Sequence, residues 1–176
     1  MYIPHVNFCY DTHMRSELLD DSRLTAVGLF MEAHAGLIAK LAPRFEEFGM
    51  SETECEVLMR LGRTPGGRLR MSDLSAQTSL STSGITRVID RLERDGLAVR
   101  ESCETDRRGT WARITQSGSS RLHAMLVHHL EDVERWFTGR LTAQQLKALS
   151  EALRVIRDAV HPGAVAGATE SEPSVV

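Results

Sequence analysis

In the stretch "LSTSGITRVIDRLERDG", residues 80–96, Ile85, Val88, Ile89 and Leu92 recur at i, i+3, i+4 and i+7. That spacing lines one face of an α-helix and scatters over both faces of a strand, so it demands a helix with a single buried side. Ser81 is placed to cap its start, and Gly96 followed by Leu97 has the form of a helix stop. Residues 97–102 and 110–115 then read as two strands, joined by "CETDRRG", a loop too polar to be buried. Upstream, "SETE" at 51–54 is a capping box opening a helix that runs to about Arg63. "TPGG" at 64–67 is a turn, "RLRM" a single short strand, and Ser72 the expected N-cap of a short helix before the quoted one. The order is helix, turn, helix, then a two-stranded wing.

Long apolar helices flank this centre. Leu18, Leu19, Leu24, Val27, Leu29, Phe30, Leu37, Ile38, Leu41 and Phe45 predict a long, largely buried helix from Ser16. Leu122, Met125, Leu126, Leu130, Val133, Trp136 and Phe137 outline another after Gly118. The capping box "TAQQ" at Thr142 opens a last helix with Leu146, Leu149, Leu153 and Ile156. The expected fold is mainly α with a small β-wing: an extension over 1–15, a helix over 16–50, a winged lobe over 51–117, two helices over 118–160 and a tail over 161–176. The tail lacks periodicity and is rich in Gly, Ala, Ser and Pro, so disorder is expected there. The stripes of the first and last helices carry more apolar surface than one lobe can cover, which predicts a homodimer.

The net charge of −3 hides a division: from Arg60 to Arg121 there are twelve arginines and seven acids, so the middle is basic and the ends are acidic. The polar face of the quoted helix carries Thr82, Ser83, Thr86, Arg87, Arg91 and Arg94, with small residues crowded into its first turns. A helix of this kind fits the major groove of double-stranded DNA. There hydroxyls and helix-end amides meet phosphates, and an arginine can grip guanine through two donors. Arg87 is the base-reading candidate, and Ser72 and Ser81, at the two helix starts, join the DNA-facing set. The competing reading is that Arg87, Arg91 and Arg94 merely pair with Asp90, Glu93 and Asp95 on a solvated helix. At the loop between the strands, Arg107 and Arg108 beside Asp106 suit a wing tip entering the minor groove, with Asp106 orienting Arg108.

The patterns "TSGITRVIDRLERDGLAVR" and "DRRGTWARIT" resemble the winged-helix core of the MarR (multiple antibiotic resistance regulator) family, and the flanking helices extend the likeness over about 16–160. The resemblance implies a homodimer in which a helical dimerisation region carries two winged helix-turn-helix lobes. It also implies repression from pseudo-palindromic operators, and release by a small, often phenolic, effector bound between lobe and dimer region. His34, Arg44 and Phe45 are the candidate residues for such a pocket.

Other classes find less support. No GxSxG, HExxH or P-loop is present, so an enzyme is not expected, nor is a cofactor. His123, His128 and His129 are spaced by five and six residues rather than the i, i+4 of shared ligation, so a surface or interface role is expected and no metal. Cys9, Cys55 and Cys103 lack CxxC spacing, and reduced thiols are the default. A cysteine-based redox regulator of the same fold stays open as an alternative, as does a winged helix used only for protein contacts. No uninterrupted apolar run approaches the roughly 20 residues of a bilayer span, and no secretory signal is evident, so a cytoplasmic protein without membrane contact is expected.

Overall fold

The computed structural model describes residues 18–102 and 109–166. The chain parts into two units, Met1–Ala39 and Lys40–Val176, and helix α1 (Ser22–Glu47) runs from the first into the second. In the first unit the Asp21 carboxylate accepts from the Arg23 amide at 2.8 Å and opens α1. Leu24, Val27, Leu29, Phe30 and Met31 are all about half exposed, against the expectation of a largely buried helix, and only Leu41 and Phe45 of α1 are buried. No second described element of that unit exists to cover them. α1 also bears on the membrane argument: it is 26 residues long and contains an 18-residue window with a mean hydropathy of 1.3, so by length and composition alone it could span a bilayer. Counting uninterrupted runs missed this because Glu32 and Lys40 break the run without lowering the average far.

In the second unit, α2 (Glu52–Arg63) begins with the expected capping box. The Ser51 hydroxyl accepts from the Glu54 amide at 3.2 Å, and Glu54 accepts from the Ser51 amide at 2.8 Å. A 3₁₀ turn (Pro65–Gly67) leads into β1 (Arg68–Arg70) and α3 (Met71–Thr78). The expected N-cap Ser72 is instead inside α3: β1 runs straight into the helix, so Arg70 holds the cap position and makes no side-chain cap bond. After Ser79 comes α4 (Thr82–Arg94), capped by the Ser81 hydroxyl, and Ile85, Val88, Ile89 and Leu92 are its buried face. Gly96 ends α4 at φ +69, while the Leu97 amide donates to the Leu92 carbonyl at 2.7 Å and the Gly96 amide to Glu93 at 3.0 Å. This pair of reversed bonds closes the helix end and needs a left-handed residue at glycine's position.

β2 (Ala98–Ser102) and β3 (Thr110–Ile114) pair antiparallel, with Arg100 opposite Ala112, and β1 lies on the other side of β3. Leu58, Leu61, Leu69, Leu74, Ile85, Ile89 and Leu92 are sealed from solvent where α2, α3 and α4 meet this sheet. α5 (Gln116–Trp136) then leaves the lobe. A Cβ at Gly118 would stand 2.0 Å from the Leu97 carbonyl oxygen, so only glycine lets α5 start against the end of α4. A 3₁₀ turn (Thr138–Arg140) reverses the chain into α6 (Ala143–Val160), opened by the Thr142 capping box. Residues 161–166, expected to be disordered, instead form a 3₁₀ turn (Pro162–Val165) with Ala164 buried. Composition misled there because small residues are what a close approach to α3 admits. Residues 167–176 lie outside the described residues.

Candidate nucleic-acid interface

The first turns of α4 are built from hydroxyls that satisfy one another. The Ser81 hydroxyl accepts from the Gly84 amide at 3.1 Å and lies 3.1 Å from the Ser83 hydroxyl, while the Thr86 hydroxyl donates to the Thr82 carbonyl at 2.8 Å. Ser81, Thr82 and Ser83 at this end are exposed. A cleft of about 410 Å³ opens beside it, lined by Arg70, Met71, Ser72, Thr82, Thr86, Arg100, Gly109 and Thr110. Ser72, Thr82 and Thr86 are thus brought to one concave surface from two helices. Arg70 and Arg100 share it, and sequence reasoning missed both.

Arg100 bears on the two readings of the α4 arginines. Its Nη2 donates to the Thr86 carbonyl at 3.0 Å and pairs with Asp90 at 2.8 Å, its amide donates to Glu93 at 2.6 Å, and its Nη1 pairs with Glu93. The carboxylates of Asp90 and Glu93 are therefore spent on a strand arginine rather than on their helical neighbours. Among the described residues, Arg87 and Arg94 pair with no carboxylate and stand exposed. Arg91 differs: its Nε donates to Glu54 at 2.6 Å, so part of its guanidinium is committed to the lobe's own structure. The signal for Arg100 was its register, one strand position whose side chain faces α4. Asp106, Arg107 and Arg108 lie outside the described residues.

Each of the three expected pocket residues is placed as follows. Arg44 donates to Asp132 at 2.8 Å and to Glu47 at 2.6 Å, so its charge is already met. Phe45 is buried with its ring centroid 5.2 Å from that of His129. His34 belongs to the other unit, where it is exposed and stacks on Phe30 at 6.3 Å. His129 is buried, contrary to its expected surface or interface role, because its position on α5 faces the end of α1; among the described residues its Nδ1 has no hydrogen-bond partner. His123 and His128 are exposed, and among the described residues no group of three His, Cys, Asp or Glu converges.

The local fields are set by burial and by these pairs. Burial pushes the Glu54 carboxyl up, but the Ser51 amide and hydroxyl and the Arg91 guanidinium outweigh it and hold the group below its ordinary value. Burial, with Glu52 and Glu56 adding to it, pushes the Cys55 thiol up to about 12. A thiol so placed, fully sealed from solvent, is not a reactive thiolate.

Residues 48–109, which hold α2, the short strand, α3, α4 and β2, match the model of the MarR family. The crystal structure of AbsC, a MarR family transcriptional regulator from Streptomyces coelicolor, superimposes with a TM-score of 0.75 at 32% identity, over 81% of this chain and 96% of that one. The chain belongs to the MarR family. As a MarR-family member it is a transcriptional regulator and not an enzyme. Sco3205, a second MarR family regulator from S. coelicolor whose crystal structure is in complex with DNA, matches with a TM-score of 0.73 at 28% identity, over 79% of this chain and 88% of that one. YkoM of Bacillus subtilis, an uncharacterised HTH-type transcriptional regulator, is 32% identical over 94 residues, covering 53% of this chain and 60% of its own length.

Proposed function

We propose that this MarR-family regulator acts as a homodimer that binds a pseudo-palindromic double-stranded operator, with α4 in the major groove and the wing in the minor groove. The observation that carries this reading is the division of charge on α4: Asp90 and Glu93 are both paired with Arg100, while Arg87 and Arg94 face outward unpaired among the described residues. A helix whose acids are engaged by a strand arginine and which presents Arg87 and Arg94 outward offers cations to phosphate and base edges. Ser72, Ser81, Thr82, Ser83 and Thr86 supply hydroxyls beside it, and Arg107 and Arg108 with Asp106 complete it from the wing. The DNA-bound structure of Sco3205 supports the same use of the fold.

Dimerisation is supported by apolar side chains that the chain leaves uncovered: Leu24, Val27, Phe30 and Met31 on α1, Leu130 on α5, and Val155, Ile156 and Val160 on α6. Apolar surface on this scale marks an association site. Two lobes related by a two-fold axis would read half-sites whose centres lie about 10 base pairs apart. Repression, cytoplasmic residence and release by a small aromatic carboxylate or phenol follow from the family resemblance. The reading is tested by selecting bound sites from genomic DNA fragments and titrating the selected duplex with salt. A steep loss of affinity with salt, a palindromic site and a dimer in light scattering are the expected results. A folded monomer at micromolar concentration, or no selected sequence, would overturn it.

A further inference from the structure

Residues 161–166 are tied to the helix-turn-helix by contacts that its DNA-facing residues do not need. His161 Nε2 lies 2.7 Å from the Ala76 carbonyl and 3.0 Å from the Ser79 hydroxyl. A carbonyl only accepts, so Nε2 carries the proton and donates to Ala76. Arg60 Nη1 donates to the Ala164 carbonyl at 2.7 Å, and Gln77, itself buried, donates from Nε2 to the Ala166 carbonyl at 2.5 Å. Gly163 fits by having no side chain, since a Cβ there would meet the Ala76 carbonyl oxygen at 3.1 Å and the Ala76 Cβ at 3.3 Å.

The place where these contacts fall matters more than their number. Ser79, at φ +54, is the left-handed residue that ends α3, and two residues later Ser81 caps α4. The direction in which α4 leaves the turn is therefore set at Ser79. His161 holds that residue from outside while its own amide donates to the Arg157 carbonyl at 2.6 Å and closes α6. α6 buries none of its residues in this chain, so residues 161–166 are what fasten its end to the lobe.

We infer that His161 is a positioning residue for DNA recognition, fixing the Ser79 turn and linking the end of α6 to the entry angle of α4. The inference rests on the DNA-binding reading above. Its prediction concerns discrimination rather than attraction. A loosened turn lets α4 lose its alignment with base edges, whereas phosphate attraction depends on the arginines, which stay in place.

The experiment compares the full-length protein with His161→Ala and His161→Gln, which keeps an N–H donor. Affinities for the selected operator and for a scrambled duplex of equal length are measured by fluorescence anisotropy. The ratio of the two does not depend on the fraction of protein folded, so a loss of stability alone leaves it unchanged. His161→Ala should lower the ratio about tenfold, the order lost with one mismatched base pair. His161→Gln should restore most of it, and amide exchange at 80–85 should quicken in His161→Ala without DNA. A ratio equal to that of the unsubstituted protein, or a parallel fall on both duplexes, overturns the positioning role. An unsubstituted protein that shows no preference for any duplex overturns the DNA-binding reading and this inference with it.

Discussion

Arg91 Nε donates to Glu54 Oε1 at 2.6 Å, tying the polar edge of α4 to the first turn of α2. The other carboxylate oxygen of Glu54 accepts from the Ser51 amide and hydroxyl, both at 2.8 Å, so one side chain both caps α2 and pins α4. Glu54→Ala removes a helix cap worth about 1 kcal/mol and leaves Arg91 without its partner. A total loss of about 2 kcal/mol is expected, a fall of roughly 4–8 °C in melting temperature for a chain of this size. Because the folded carboxyl is held below its ordinary value, its contribution is present above that value and is lost as pH falls through the lower, folded one. Thermal melts of both proteins at neutral pH and near pH 3 measure this; equal melting temperatures at neutral pH would remove Glu54 from the stabilising set.

Arg87 and Arg108 should fail in different ways. Arg87→Ala deletes a two-donor base contact, so discrimination against the wrong base should drop by about 1–3 kcal/mol at one operator position. Arg108→Ala should weaken specific and non-specific duplexes together and reduce the salt slope by about one unit. Binding isotherms over a series of salt concentrations separate the two, and an unchanged slope for Arg108→Ala would return the wing arginines to an ordinary solvated loop.

Removing Arg100 should do more than delete one cation. Arg100→Ala frees Asp90 and Glu93 on α4, beside the cleft that Arg100 itself lines, where they would repel phosphates. Affinity for any duplex should fall by more than it does for Arg87→Ala on a scrambled duplex. The double variant Arg100→Ala with Glu93→Gln should recover part of the loss. No recovery in the double variant would mean that Arg100 acts through the alignment of β2 and α4 and not through the masked acids.

His129 should make stability depend on mild acid. Burial holds its pKa below the ordinary value, with Asp132 opposing and Arg44 adding to the shift. The neutral ring is the folded form, and the unfolded chain takes up a proton near pH 6.5. Its contribution is therefore complete above about pH 6.5 and is lost as pH falls through the lower, folded value. The Asp132 carboxyl, held low by Arg44, titrates in a more acidic window. In denaturant titrations at fixed protein concentration, His129→Phe should lose less stability between pH 7.5 and 5.5 than the unsubstituted protein. Parallel losses would exclude His129 as a source of the acid sensitivity.

The lobe was legible because its signals are local. The α4 stripe, the caps at Ser51, Ser81 and Thr142 and the stop at Gly96 each lie within a few residues of one another, and each is where the periodicity placed it. The contacts that were missed are long-range. Arg100 meets α4 only because a strand register turns it that way, and His161 meets Ser79 from 82 positions along the chain. Ser72 misled for the opposite reason: a good capping residue is a local preference, and the strand entering α3 overrode it. Apolar density on α1 was read as a demand for burial. Within this chain the demand is unmet, and periodicity carries no mark that separates a core face from a face for a second copy.

Cys55 gives the lobe a built-in clock. Its sulfur is sealed between α2 and the rest of the core, and burial holds the thiol protonated, up to a pKa of about 12. A thiol reagent can therefore reach it only when α2 swings away, so the labelling rate at this one atom counts the openings of the DNA-reading lobe. Any operator duplex that grips the closed lobe must slow that rate by the factor by which it fills the closed state. Occupancy of the outer face can thus be timed from a sulfur atom that never touches DNA.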